Sequence, residues 1–189
     1  MPKQVIKIPQ ALVPVPVVLV SCKGREGSPN IITLAWVGVV NGDPPIVSIS
    51  IRPNRHSFEL IRDTKEFVIN IPSESQIRIV DYCGVASGKH ENKFEQARLT
   101  PVPATKVKAP LIEECAVNME CEVKQVISLG SHHAFLGEVV AIHADQEALT
   151  EANRIDISKV QPIAYCPASG EYRGLKGPLG SYGFSKGKP

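Results

Sequence analysis

The stretch from Ala116 to Ala144 constrains the fold more than any other. Val117, Met119, Cys121 and Val123 alternate with polar neighbours, Leu129-Gly130-Ser131-His132 supplies a turn, and Leu136, Val139 and Ile142 carry apolar content beyond it. A period of two is the mark of a strand with one buried face, so this segment predicts a long hairpin with arms Ala116–Ser128 and Ala134–Ala144. Further strands are predicted at Val17–Cys22, Ile31–Val40, Ile46–Ile51, Phe67–Ile71 and Pro162–Tyr165. Short helices are predicted over Arg55–Asp63, from Ser73 onward, and over Asn92–Ala97. Ser73 with Gln76 three residues on fits a capping box, and Gly84 is placed to close that helix. No strand–helix–strand alternation runs through the chain, which excludes a doubly wound sheet. Gly24-Arg25-Glu26-Gly27 has the spacing of neither a dinucleotide fingerprint nor a P-loop. The expected architecture is mainly β, a closed or split antiparallel barrel carrying short helices.

At 189 residues and 43% hydrophobic, with no linker or low-complexity tract, residues 1–189 read as one domain with a proper core. The net charge of +2 comes from interspersed signs, and aromatics make up only 5%, so neither a nucleic-acid surface nor a base-stacking platform is expected. Cys22, Cys83, Cys115, Cys121 and Cys166 are odd in number and include no CxxC pair. Cys115 and Cys121 fall in one expected strand, about 20 Å apart at about 3.3 Å per residue, so one metal ion cannot hold both. No metal site is expected, and a reduced, cytoplasmic protein with packing thiols fits best. Lys3 and Lys7 precede the apolar run Ala11–Val20, which ends in Leu19-Val20-Ser21-Cys22 like a lipoprotein leader. That run is too short to span a bilayer and contains Pro14 and Pro16, so a first strand is the preferred reading and no membrane association is expected.

The segment SISIRPNRHSFELI (Ser48–Ile61) speaks most directly to function. An alternating strand runs through Pro53 and Asn54 into an amphipathic helix, so Arg52, Arg55, His56 and Ser57 gather at a helix N-terminus. Free N–H groups and the helix dipole favour an anion there, and Arg adds a planar fork suited to phosphate. A phosphate-bearing ligand and an ordinary solvated turn both fit these residues.

Three other segments carry functional and plain readings side by side. Asn30–Gly38 (NIITLAWVG) sets Asn30 and Thr33 at a strand start and holds the only Trp, Trp36; it suits the polar edge of a flat heterocycle or a core strand. Asp81–Phe94 (DYCGVASGKHENKF) mixes Gly84, Gly88, Lys89 and Lys93, and suits a ligand loop or a solvated connection, with Cys83 a packing thiol. His132 and His133 at the hairpin turn offer imidazole near neutral pH or simply face solvent. The glycine-rich tail, residues 171–189, cannot fold alone and must drape on the barrel or on a neighbouring subunit, or else be disordered.

Five motifs in this order, NIITLAWVG, PPIVSISIRPNRHSFELI with EFVINIP, DYCGVASGKHENKF, GSHHAFLGEV and SYGFSKG, resemble the flavin reductase-like family, an antiparallel Greek-key FMN-binding split barrel, and in particular its flavoredoxin-like branch. The resemblance implies noncovalent FMN in a homodimer. By position, Asn30, Ile31, Ile32, Thr33 and Trp36 would line the isoalloxazine and ribityl side. Ser50, Arg52, Arg55, His56 and Ser57 would hold the phosphate and ribityl chain, and Asp81, Tyr82, Cys83, Gly84, Ser87 and Lys93 would complete the pocket. His132 matches the histidine of the family's Gly-Asp-His motif, which here reads Gly-Ser-His; a branch with Ser there includes electron carriers. The function implied is passage of electrons from NADH or NADPH through flavin to free flavin, ferric iron or a redox protein. An electron carrier with tightly held FMN and a non-catalytic flavin-binding module are the alternatives.

Overall fold

A computed structural model describes residues 1–6 and 12–187; Lys7 and Ala11, at the start of the leader-like run, lie outside them. The chain opens with β1 (Val15–Pro16), β2 (Val18–Cys22), β3 (Asn30–Leu34), β4 (Val37–Gly42) and β5 (Pro45–Ile51), then α1 (His56–Thr64) and β6 (Glu66–Ile71). After α2 (Ile77–Val85), α3 (Lys93–Ala97) and the short β7 (Pro101–Val102) and β8 (Leu111–Ile112) comes the long hairpin of β9 (Val117–Ser128) and β10 (His133–Ala144). The chain ends with α4 (Ile157–Val160), β11 (Ile163–Cys166) and β12 (Glu171–Gly174).

Seven antiparallel strands form the main sheet in the order β3-β2-β6-β9-β10-β5-β4. Laid flat, its edges would stand about 29 Å apart at about 4.8 Å per strand. Yet edge strands β3 and β4 are joined through Ala35 and Trp36 alone, three Cα steps that reach at most about 11 Å. The sheet therefore curls until one length of chain borders it on both sides. The predicted strand Ile31–Val40 is thus interrupted: it pairs first with β2, bends at Ala35–Trp36, then pairs with β5. Strand β5 reaches β6 by the long connection through α1, and β10 returns beside β5, which is the Greek-key arrangement. Register shifts at Leu136/Gly137 and Val139/Ala141 bend the hairpin around the barrel. Gly137 is needed at the first of them, because a Cβ there would come within 2.6 Å of the Phe67 ring.

Strand β2 has both faces covered. Val18, Val20 and Cys22 face the barrel interior with Ile49, Ile51, Phe58, Phe67 and Phe135. Val17 and Leu19 face outward with Ile31 into a second core, where Val80, Cys83, Phe94 and Ile112 pack. A strand buried on both faces needs an unbroken apolar run, which accounts for the leader-like Val17–Val20. Cys115 and Cys121 do not share a strand face: Cys115 sits in the turn before β9 and packs in the outer core, while Cys121 lies inside the barrel.

The capping box at Ser73 and Gln76 forms, opening one 3-10 turn that runs into α2. Gly84 does not close that helix; the extended cap is Ala86. Gly84 instead faces β3, where a Cβ would make ordinary contact with Thr33 at 3.4 Å. Of the tail, Glu171–Gly174 is strand β12, paired to β11, whereas Leu179, Tyr182 and Phe184 are exposed. On the barrel's outer face the buried carboxylate of Glu120 accepts from Thr105 N and Oγ1 and from the N–H groups of Lys106 and Val107, and pairs with His143 Nε2. Burial pushes its pKa up, but the bonds from Thr105, His143 and Lys106 outweigh it and hold the carboxyl down at about 2.

Candidate functional site

The bend between β3 and β4 opens a cleft of about 540 Å³. Ile32 and Thr33 line one wall, Ser50 and Arg52 continue it from the end of β5, and Asp81, Gly84 and Val85 present one face of α2. Trp36, Arg55 and His132 complete the rim. Thr33 Oγ1 donates to Val80 O at 2.5 Å, tying the strand to the helix. The N–H groups of Ala35 and Trp36 donate no hydrogen bond among the described residues, since the ladder breaks there. Two free donors beside a flat wall suit the polar edge of a heterocycle.

Arg52 Nε–H donates to His132 Nε2 at 3.4 Å, and His132 Nδ1 lies 2.9 Å from Ser131 Oγ. The pattern assigns the proton to Nδ1, which donates to the hydroxyl. Burial, then the neighbouring Arg52 charge, pushes the His132 pKa below its ordinary value, so the ring is neutral at pH 7. Its plane lies within 3° of Trp36 at a centroid distance of 6.2 Å.

Arg55 and Ile32 also line an adjoining pocket of about 120 Å³ at the start of α1, with Asn30, Asn54, His56, Ser57, Ser87, Gly88 and Lys93. Arg55 occupies the N-cap with extended backbone and no side-chain cap; Phe58 N–H is taken by Arg55 O, and the N–H groups of His56 and Ser57 donate no hydrogen bond among the described residues, which leaves them open to a ligand. Ser57 Oγ accepts from Asn30 Nδ2 at 2.8 Å, and a Cβ at Gly88 would overlap that Asn30 amide. His56 Nδ1 is buried and has no hydrogen-bond partner among the described residues. Lys93, 3% exposed, donates from Nζ to Ile31 O at 2.9 Å and Cys83 O at 2.8 Å, which leaves one of its three donors uncommitted. Burial lowers its pKa. A small polar pocket with two cations, open helix N–H groups and an orphaned imidazole nitrogen fits a phosphate, and the wider cleft beside it fits a planar ring.

The structure brings Asn30, Ile32, Thr33, Trp36, Ser50, Arg52, Arg55, His56, Ser57, Asp81, Gly84, Ser87, Lys93 and His132 to these two cavities. It does not bring the side chains of Ile31, Tyr82 and Cys83. Ile31 alternates to the opposite face of β3 from Ile32, and Cys83 lies on the core side of α2. Tyr82 packs on that outer core and donates to Glu91 Oε2 at 2.6 Å. Tyr165 and Tyr172 also line the cleft, their rings 5.2 Å apart and Tyr172 OH donating to Asp81 Oδ1 at 3.3 Å. Only the aromatic content of the tail hinted at Tyr172, because β11 and β12 reach the cleft through long-range pairing.

The model of the flavin reductase like domain matches residues 11–175. Flavoredoxin of Desulfovibrio vulgaris (Miyazaki F) superposes with a TM-score of 0.91 at 33% identity, covering 98% of this chain and 100% of that one. A flavoredoxin from Methanosarcina acetivorans gives 0.89 at 24% identity with 98% of each chain covered, a likeness of fold. An uncharacterized protein of Archaeoglobus fulgidus is 36% identical over 118 residues, 62% of this chain and 67% of its own.

Proposed function

This chain belongs to the flavin reductase-like family, and on that premise we propose that it binds FMN and passes electrons from NADH or NADPH to an acceptor, be it free flavin, ferric iron or a redox protein. The observation that carries the reading is the junction of the cleft with the pocket at the start of α1, which share Ile32 and Arg55, the pocket being lined by His56, whose Nδ1 is buried without a partner among the described residues. Arg55, the open N–H groups of α1 and the spare Lys93 donor hold the phosphate. Asn30 holds Ser57 in place. Ile32, Thr33 and the free N–H groups at Ala35 and Trp36 seat the ring system. When bound, the flavin supplies the redox chemistry by taking up and releasing electrons. The residues around it need only bind, orient and exclude water, which is why no acid, base or covalent nucleophile is required of them. His132 is the residue we assign to the approach of the nicotinamide. Neutral and held by Arg52 and Ser131, it offers a fixed, uncharged face.

The test is the visible spectrum of the purified protein and of its heat-released supernatant, followed by NADH and NADPH oxidation with added flavin. Release of FMN supports the pocket, and turnover supports the reductase. A colourless protein that binds no added FMN removes the proposal.

A second reading, an electron carrier with tightly held FMN, is favoured by the full-length likeness to a flavoredoxin. Reduction of bound FMN by a protein donor and not by NAD(P)H would select it. We further propose a homodimer, because Trp36, Val39, Leu179, Tyr182 and Phe184 expose large apolar side chains that a second copy would cover. No helix among the described residues is long and apolar enough to cross a membrane; a cytoplasmic setting is part of the proposal.

A further inference from the structure

Asp81 is the one carboxylate among the described residues that line the main cleft, whose other permanent charges are Arg52 and Arg55. It shares a face of α2 with Gly84 and Val85, three and four residues on, so it stands beside a position that has no side chain of its own. No ion pair neutralises Asp81 among the described residues. Its hydrogen-bond partner is the Tyr172 hydroxyl of β12, which donates to Oδ1 at 3.3 Å. Burial, then the Asp81 charge, pushes the Tyr172 pKa up to about 12, so the phenol keeps its proton at neutral pH and stays a donor. Tyr165 lies on the same wall, its ring 5.2 Å from that of Tyr172. The two guanidiniums have other engagements: Arg52 Nε–H donates to His132, and Arg55 also lines the pocket at the start of α1. Asp81 is therefore a negative charge on the wall of the space assigned above to the ring system.

That space is where charge changes on reduction. The oxidised ring is neutral. Two electrons from the donor enter it with two protons, or with one proton when N1 gives up its own to water, and the reduced ring is then an anion. A carboxylate nearby opposes the anion and leaves the neutral oxidised ring nearly untouched. The opposition grows as the ring displaces water from the cleft, because the effective dielectric falls. We propose that Asp81, moderated by the Tyr172 hydroxyl, holds down the reduction potential of the bound flavin; the inference rests on the flavin reading above. Arg52, just past β5, acts in the opposite sense, and Asp81 offsets it. Asp81 makes and breaks no bond in the reaction. It is a tuning residue, and it favours release of the electrons to an acceptor over their storage.

The experiment loads the full chain with FMN and measures the flavin midpoint potential against a reference dye during slow enzymatic reduction. It is repeated on Asp81→Asn, Tyr172→Phe and the double variant. Asp81→Asn should raise the affinity for reduced over oxidised FMN fivefold or more, about 20 mV upward for a two-electron couple. Tyr172→Phe strips the carboxylate of its hydrogen bond and should move the potential the other way, twofold or more in the same ratio. In the Asp81→Asn background the Tyr172→Phe shift should vanish, since the hydroxyl acts through the carboxylate. A loosened cleft would instead move both single variants in one direction. An unchanged or lowered potential in Asp81→Asn, or a Tyr172→Phe shift that survives in the double variant, overturns this inference and leaves the flavin reading intact. If Asp81→Asn does not retain FMN, Tyr172→Phe decides alone, and a potential equal to the parent's overturns the inference. Failure of the unaltered chain to bind FMN overturns both.

Discussion

Trp36 and His132 hold their rings within 3° of parallel, 6.2 Å apart, at the mouth of the cleft. One comes from the bend that joins the two sheet edges and the other from the β9–β10 turn, so the curl of the barrel is what brings them together. His132→Ala removes the imidazole without touching the phosphate pocket. Nicotinamide-driven reduction should slow by tenfold or more while FMN affinity is kept. Stopped-flow reduction beside equilibrium titration checks this; equal rates would reduce His132 to a turn residue.

Arg55 stands at the N-cap of α1 beside the phosphate pocket. Arg55→Ala should weaken FMN binding by about 1.5–3 kcal/mol, the scale of a hydrogen bond to a charged group. Ser57→Ala should weaken it too, by releasing Asn30. Fluorescence titration decides, and unchanged affinity in both variants would remove the phosphate assignment.

Lys93 ties β3 to the end of α2 through the carbonyls of Ile31 and Cys83. Lys93→Met keeps the length of the stem and orphans both acceptors, at about 1–3 kcal/mol for each buried group left unpaired. Denaturant unfolding should show the loss without ligand, and FMN should rescue less stability than in the parent chain. A stability equal to the parent's would show that the buried ammonium holds nothing.

Glu120 makes acid the sensitive direction for this fold. Its carboxyl titrates at about 2 in the folded chain against an ordinary 4.5. A depressed folded value means stability that is fully present above the ordinary pKa and is lost as pH falls from about 4.5 toward 2. Glu120→Gln leaves N–H groups of the 105–107 loop without their charged acceptor and should cost about 2 kcal/mol or more at pH 7. Thermal melts from pH 7 down to 3 should fall more steeply for the parent than for the variant; parallel curves would contradict the assignment.

The strands were legible wherever alternation had one face to report, as in β5 and the first half of β9. Strand β2 was legible for the opposite reason, since burial on both faces makes its run continuous. The bend at Ala35–Trp36 left no local signal: no Gly or Pro marks it, and it exists because the chain exchanges one partner strand for another. The pocket at the start of α1 gathers Asn54 to Ser57 because they are consecutive and a helix start is a local event, which a reading along the chain can follow. Ile31 and Cys83 were assigned by motif, while their direction is set by the two-sided packing of β3 and α2. Tyr165 and Tyr172 reach the cleft only through the β11–β12 pairing, which a reading along the chain does not contain.

The sulfur inventory bears on durability. Burial first of all raises Cys22, Cys115 and Cys121 to about 12 and Cys83 to about 11. At neutral pH roughly one in ten thousand of the Cys83 side chains, and fewer of the others, is the thiolate that peroxide attacks. Only Cys166 reaches partway to solvent. Flavin chemistry in air generates peroxide, and this fold keeps four of its five thiols out of that reagent's way.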